Sequence, residues 1–115
     1  MNTNEILKAT GQVKIVLTDE QGNIKQEEQF KNLVVSTGLN YLVSRAKDAT
    51  ATAMSHMALG SGTTAAAAGQ TTLVTELGRV SLTSTVVSTN TITYTATFNP
   101  GAATGAVNEA GIFHA

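Results

Sequence analysis

The stretch MSHMALGSGTTAAAAGQ, residues 54–70, combines side chains that occur together in enzymes. His56 could act as a base and Ser61 as a nucleophile, which is the pairing that acyl transfer requires. A nucleophile elbow, however, has the form G-x-S-x-G, and Ser61 has a glycine directly on each side. The sequence locates neither an acid to orient the histidine nor an oxyanion hole, so we expect no catalytic residue.

The same glycine-rich loop could bind phosphate. A P-loop has the form G-x-x-x-x-G-K-[ST], in which the lysine contacts the β- and γ-phosphates. Here Gly62 is followed by Thr63, and no lysine follows Lys47 in the sequence. The loop lacks the group that phosphate binding needs, and we expect no cofactor.

Metal ligands are scarce in this chain. His56 and His114 are its two histidines, they are far apart, and there is no cysteine. Zinc sites need three or four protein ligands, usually with two of them closely spaced. His56 also lies in an apolar segment, where a histidine is more often a core or interface residue. We expect no metal site.

Glu109 is the candidate acid, because it shares a strand face with Val107 and Phe113. A carboxylate that faces inward must be paired or hydrogen-bonded, or its pKa rises. It could serve as a general acid, or it could close the last strand through a backbone hydrogen bond or a salt bridge to Arg45 or Arg79. No second carboxylate is evidently paired with it, so we expect a structural buried acid.

Composition excludes several classes of partner. Charged residues make up 13% of the chain and the net charge is −1, whereas about 25% charged residues are typical. The seven Lys and Arg residues are scattered, which disfavours nucleic acid. No apolar run approaches the ~20 residues that span a membrane. A surface poor in charge and rich in Thr, Ser and Ala suits packing against other protein.

Two segments have clear periodicity. Residues 11–30 alternate apolar and polar side chains on both sides of the turn sequence DEQGN, which predicts a β-hairpin. Residues 31–48 change to a helical period. Because Gly38 weakens the first turn, we expect this helix to depend on docking. Its apolar stripe consists of Leu39, Leu42, Val43 and Ala46.

The remaining segments predict strands. MSHMALG suits a central strand, and the loop after it should contain a single helical turn or bend near Leu73. RVSLTSTVV (79–87), TITYTATF (91–98) and AVNEAGIFHA (106–115) each alternate in the way of β-strands. The fold class is therefore mainly β with one short helix, arranged as an antiparallel β-sandwich or open barrel.

We expect two regions in the chain. Residues 1–10 should form a flexible N-terminal arm, and residues 11–115 a single β-rich domain. Ile6 and Leu7 are apolar in a polar setting, so they are the candidate residues for docking on a partner, with the arm ordering on assembly.

Three segments resemble a module of tailed-bacteriophage virion proteins, the N-terminal domain of tail-collar fibre proteins. They are FKNLVVSTGLNYLVSR (30–45), MSHMALGSGTTAAAAGQTTLVTELGR (54–79) and TNTITYTATFNPGAATGAVNEAGIF (89–113). Within them the patterns I-x-x-[MI]-A-[LIV]-G-x-G, T-x-L-x-x-E-[LV]-x-R and [IV]-x-E-[AI]-G-[IL]-F occur in this order, although Met54 stands at the first position. The resemblance covers most of the chain.

The resemblance implies a structural role for several of these residues. Residues 60–69 would form a glycine-rich connection, and Leu73, Glu76 and Arg79 would belong to the matched segment that follows. By the same analogy, Glu109 would be structural. Fibre proteins continue for hundreds of residues toward a receptor-binding tip, and this sequence stops at Ala115, so a receptor-binding function is not carried over.

We therefore expect a non-enzymatic virion structural protein, made in the bacterial host cytoplasm and located in the virion. Its partners should be itself, as a homotrimer or ring, and another virion protein on a tail, collar or baseplate. Repetition in a ring makes weak docking contacts effective. We expect no nucleic acid, membrane or small-molecule substrate.

Two alternatives remain at this point. One is a capsid decoration protein on the head surface. The other is a carbohydrate-binding module, which would need exposed aromatic side chains or an array of threonine hydroxyls. Its aromatic candidates are Phe30, Tyr41, Tyr94, Phe98 and Phe113.

Overall fold

The computed structural model describes residues 9–47 and 52–114. This part of the chain contains seven strands and one helix. In chain order they are β1 (Gly11–Thr18), β2 (Ile24–Asn32), α1 (Ser36–Lys47), β3 (Met54–Gly60), β4 (Glu76–Ser81), β5 (Ser84–Ser88), β6 (Thr91–Thr95) and β7 (Glu109–His114). All the strand pairs are antiparallel. The expected fold class, mainly β with one short helix, is confirmed, and the antiparallel sheets are consistent with a small β-sandwich-like domain.

The predicted hairpin is formed by β1 and β2. Val13 lies opposite Phe30, and the register shifts once, between Leu17 and Thr18. The Asp19 carboxylate accepts hydrogen bonds from the backbone NH groups of Gln21 (3.0 Å) and Asn23 (2.9 Å) and so holds the turn. These short-range interactions explain why the sequence alone was sufficient to predict the hairpin.

The predicted helix is also present, but its apolar stripe faces solvent. Val43 is 67% exposed, and Leu39 and Leu42 are exposed as well. The half-buried positions are Gly38, Tyr41 and Ser44, which lie on the opposite side of the helix because successive residues turn by about 100°. Leu39, Leu42, Val43 and Ala46, which are all exposed, are called the α1 stripe below.

The centre of the fold is a three-stranded sheet in the order β4-β3-β7, so β3 is the central strand, as predicted. Ala58 in β3 faces Arg79 of β4 and Gly111 of β7. Ala58 is the single apolar residue of the described ranges whose side chain is fully buried.

The strand predicted over residues 79–87 is divided between two sheets. The Leu82 NH donates to the Ser55 carbonyl in β3 (2.9 Å), whereas the Thr83 NH donates to the Thr95 carbonyl at the end of β6 (2.7 Å). The chain therefore changes neighbours at this point, next to the polar run 83–85, in which Ser84 stands between Leu82 and Val86 on the otherwise apolar face. β5 and β6 then form a separate two-stranded sheet.

Large apolar side chains are exposed in α1, in both two-stranded hairpins and in the connecting loops, but not in the three-stranded central sheet. Val16, Leu17, Ile24, Phe30, Leu33, Leu39, Leu42, Val43, Val74, Val86, Val87 and Ile92 are exposed by 39–69%. We call these twelve residues the apolar surface. These residues are spread over several elements, and water reaches all of them in the described ranges.

Candidate functional site

Glu109 holds the long loop between β3 and β4 against the sheet. It is the first residue of β7 and lies opposite Gly60, the last residue of β3. Its Oε2 atom accepts hydrogen bonds from the backbone NH groups of Gly62 (2.6 Å) and Thr75 (2.8 Å), and Oε1 accepts one from the Val74 NH (2.7 Å). The carboxylate with these three NH groups is called the Glu109 clamp.

The clamp favours the ionised form of Glu109. Partial burial raises the pKa of the carboxyl group, but the hydrogen bonds from Thr75, Val74 and Gly62 together outweigh burial, and the pKa of Glu109 is lowered from its ordinary value of 4.5. Glu109 is half-buried, whereas the sequence analysis expected a structural buried acid. It is an anion at neutral pH and is hydrogen-bonded by both oxygens, so it is poorly suited to donate a proton as a general acid.

Two glycines leave room for the clamp. A Cβ atom on Gly60 would lie 2.5 Å from the Thr75 carbonyl oxygen and 2.7 Å from Cγ of Glu109. A Cβ on Gly62 would overlap the Glu109 carboxylate and lie 2.6 Å from Cβ of Val74. Any other residue at either position would displace the loop or the acid. The close approach of the Gly60–Gly62 backbone to Thr75, Val74 and Glu109 therefore explains the G-x-G sequence. The phosphate-loop and nucleophile-elbow motifs do not explain it.

Backbone contacts extend the clamp on both sides. The Ser61 NH donates to the Thr75 carbonyl (2.9 Å), and the Asn108 NH donates to the Gly60 carbonyl (2.8 Å). The Asn108 side-chain amide donates to the Ser61 carbonyl at 3.2 Å. The end of β3, the start of β4 and the start of β7 are consequently tied at one place.

Arg79, one of the two salt-bridge partners considered for Glu109, interacts elsewhere. Its guanidinium group pairs with Glu76 at 2.8 Å and stacks over the Phe113 ring, 4.0 Å from the centroid. Leu73 approaches Gly111 on the same side, because a Cβ there would lie 3.3 Å from the Leu73 side chain. Residues of the segments 54–79 and 89–113 therefore meet on the central sheet.

The candidate acyl-transfer residues are not brought together. Ser61 follows the end of β3, and His56 lies near its start, so the five intervening steps of extended chain separate them by roughly 16 Å. The His56 Nδ1 atom is bonded to the Ser55 hydroxyl at 2.7 Å. His56 and Ser61 are close in sequence, but the extended strand between them keeps their side chains apart.

A second polar cluster joins α1 to the end of β7. The Tyr41 ring stacks on the His114 ring with centroids 5.4 Å apart, and the Tyr41 hydroxyl donates to the Thr52 carbonyl (2.7 Å). The Thr52 hydroxyl and His114 Nδ1 are 3.2 Å apart. Burial and, secondly, repulsion from Tyr41 raise the pKa of Tyr94. Both tyrosines are half-buried, and sequence analysis gave no signal for the Tyr41–His114 contact.

Several expectations concern features that the described residues either lack or do not include. Ile6 and Leu7, the candidate docking residues, lie outside the described ranges. Within residues 9–47 and 52–114, no group of three His, Cys, Asp or Glu side chains is placed to hold a metal ion. No helix in those ranges has the length and hydropathy to cross a membrane.

The clamp thus fixes a glycine-rich loop on a three-stranded sheet. No family model matches the chain, and no curated protein or solved structure matches it either.

Proposed function

We propose that this chain is a non-enzymatic structural subunit of a bacteriophage virion, which self-associates and docks on a tail, collar or baseplate. The observation that carries the proposal is the apolar surface, in a fold where Ala58 alone among the described apolar residues is fully buried. Such a fold is suited to completing its packing in an assembly.

The size of the apolar surface supports stable association. Full burial of one aliphatic or Phe side chain contributes about 1.5–3 kcal/mol. Because each of the twelve side chains is roughly half exposed, covering it would contribute about 1 kcal/mol, or about 12 kcal/mol for all of them. Association costs about 4–15 kcal/mol in lost freedom. Apolar burial at one small contact therefore does not offset this cost by itself, and backbone hydrogen bonds or several contacts per subunit, as in a closed assembly, have to contribute as well.

The clamp supports the virion assignment in a second way. The resemblance to tail-collar proteins depends on short segments that are distant in sequence, and parts of them meet in the fold, at the Glu109 clamp and where Arg79 stacks over Phe113. Their spacing is thus explained by a shared structural purpose. A rigid loop platform is what a subunit needs when it presents the same surface many times.

Particle composition tests this proposal. Phage particles are purified from a bacterial strain that carries the gene, and their proteins are quantified by mass spectrometry against known head and tail proteins. We expect the chain in several copies per particle, with an affinity-tagged form labelled by gold at the tail. Label on the head surface would instead establish capsid decoration. Particles that are complete and infectious but lack the chain would refute a virion role.

A further inference from the structure

The hairpin of β5 and β6 has unused pairing capacity. These two strands form a sheet of their own, so within the described ranges neither outer edge is paired with another strand. A two-stranded hairpin is only marginally stable in water and needs a third strand or a packed face. The hairpin therefore gains from any strand that is added at its edge.

Its side chains also lack cover. Val87 lies directly opposite Ile92, and the two are 69% and 49% exposed. Val86 is exposed on the other face, where it lies opposite Thr93. Both faces of the hairpin thus present β-branched side chains to solvent, which is the usual composition of strands that are packed.

The charge pattern identifies what covers it. No charged residue occurs between Arg79 and Glu109, whereas the β1–β2 hairpin carries charges such as the Lys14–Glu27 ion pair (3.2 Å). Edge strands of soluble proteins are commonly protected from pairing by charged residues. Two copies of one chain bring identical surfaces together, so a surface with a net charge repels itself and an uncharged one does not.

We propose that the β5–β6 hairpin is the surface through which copies of this chain associate with each other, by pairing of their β5 edges, which brings Val86 and Val87 of one copy beside the paired strand of the next. This inference rests on the proposed function, from which it takes the self-associating subunit, and it specifies the surface. Every copy presents the same unpaired and uncharged edge, so two edges can pair without repulsion between like charges, and the occupant we propose is a second copy.

The test compares two matched substitutions in the full chain by sedimentation velocity between about 10 µM and 1 mM. Val87→Lys places a charge on the hairpin, and Thr18→Lys places the same charge at an exposed strand residue of β1 that is not part of the apolar surface. We expect the wild type and T18K to form the same discrete oligomer and V87K to dissociate at least tenfold more readily. Circular dichroism checks that both variants fold. Backbone amides of β5 and β6 should exchange hydrogen more slowly as the wild-type concentration rises, with β1 and β2 unchanged.

Three outcomes would overturn the inference. They are a V87K oligomer as stable as the wild type, a wild type that stays monomeric at 1 mM, and aggregates that grow without a limiting size. None of these changes whether the chain is present in purified particles, so the virion role is tested separately.

Discussion

The substitution Glu109→Gln tests whether the clamp stabilises the fold. Glutamine keeps one oxygen that can accept the Gly62 and Thr75 NH groups, but its amide nitrogen would face the Val74 NH and cannot accept from it. One hydrogen bond to a charged group is lost, which costs about 1.5–3 kcal/mol, and two others become neutral and weaker. Because Val74 and Thr75 are exposed, water offsets part of this loss. We expect E109Q to lower the free energy of unfolding by about 2–4 kcal/mol.

Thermal unfolding followed by circular dichroism measures this change. For a chain of this length, 1 kcal/mol corresponds to about 4 °C in Tm, so the expected decrease is about 8–16 °C. Glu76→Gln is the matched control, because Glu76 forms an exposed ion pair with Arg79 and such pairs contribute about 0–1 kcal/mol. An E109Q protein within about 0.5 kcal/mol of the wild type would refute the clamp as a stabilising contact.

The pH dependence of the same pair gives an independent check. The folded-state pKa of Glu109 is lowered from 4.5, so the native state binds fewer protons than the unfolded state at pH values between the folded and the unfolded pKa. The stabilisation by the clamp is therefore complete above the unfolded pKa. It is lost as the pH falls through the folded pKa. The stability difference between wild type and E109Q should therefore be constant near neutral pH and decrease below about pH 4.

Four further substitutions are tested by the same unfolding measurement. Gly62→Ala should destabilise by about 2–4 kcal/mol, because its Cβ overlaps the Glu109 carboxylate. The control Gly69→Ala has nothing within 4 Å of its Cβ and should change stability by less than about 0.5 kcal/mol. Equal effects of the two substitutions would contradict the argument from space. Thr89→Asn should stabilise by about 1 kcal/mol, because Thr89 has a φ of 55° that asparagine tolerates better, and a loss of stability would contradict it. Val43→Gln, in the exposed α1 stripe, should leave the unfolding of a dilute sample within about 0.5 kcal/mol of the wild type, whereas a large loss would show that the stripe is packed.

Local patterns in the sequence predicted the local structure well. The β1–β2 hairpin and α1 depend on interactions between residues that are close in sequence, such as the Asp19 carboxylate with the backbone of Gln21 and Asn23. Their boundaries follow from turn residues and periodicity. The fold class follows in turn, because strands dominate the remaining segments.

Contacts between distant segments were not predictable in the same way. Periodicity indicates that α1 has an apolar stripe, but not whether the subunit or another molecule covers it. Alternation of apolar and polar residues predicts one strand over residues 79–87, although the backbone changes its hydrogen-bonding partner between Leu82 and Thr83. Glu109 was identified as a structural acid, but its hydrogen-bond donors are backbone NH groups, which every sequence contains, so no residue type pointed to the loop.

The position of β7 has a consequence for how the chain acquires its structure. Met57 pairs with Ile112, 55 residues later, whereas the β1–β2 hairpin joins residues separated by a short turn. Closing the longer segment costs about 2 kcal/mol more entropy than closing a six-residue turn, so the hairpin can form early and the central sheet late. β7 supplies both the third strand and the carboxylate that fastens the loop. During synthesis, the third strand and the clamp must therefore wait for β7 to leave the ribosome, and the two form together.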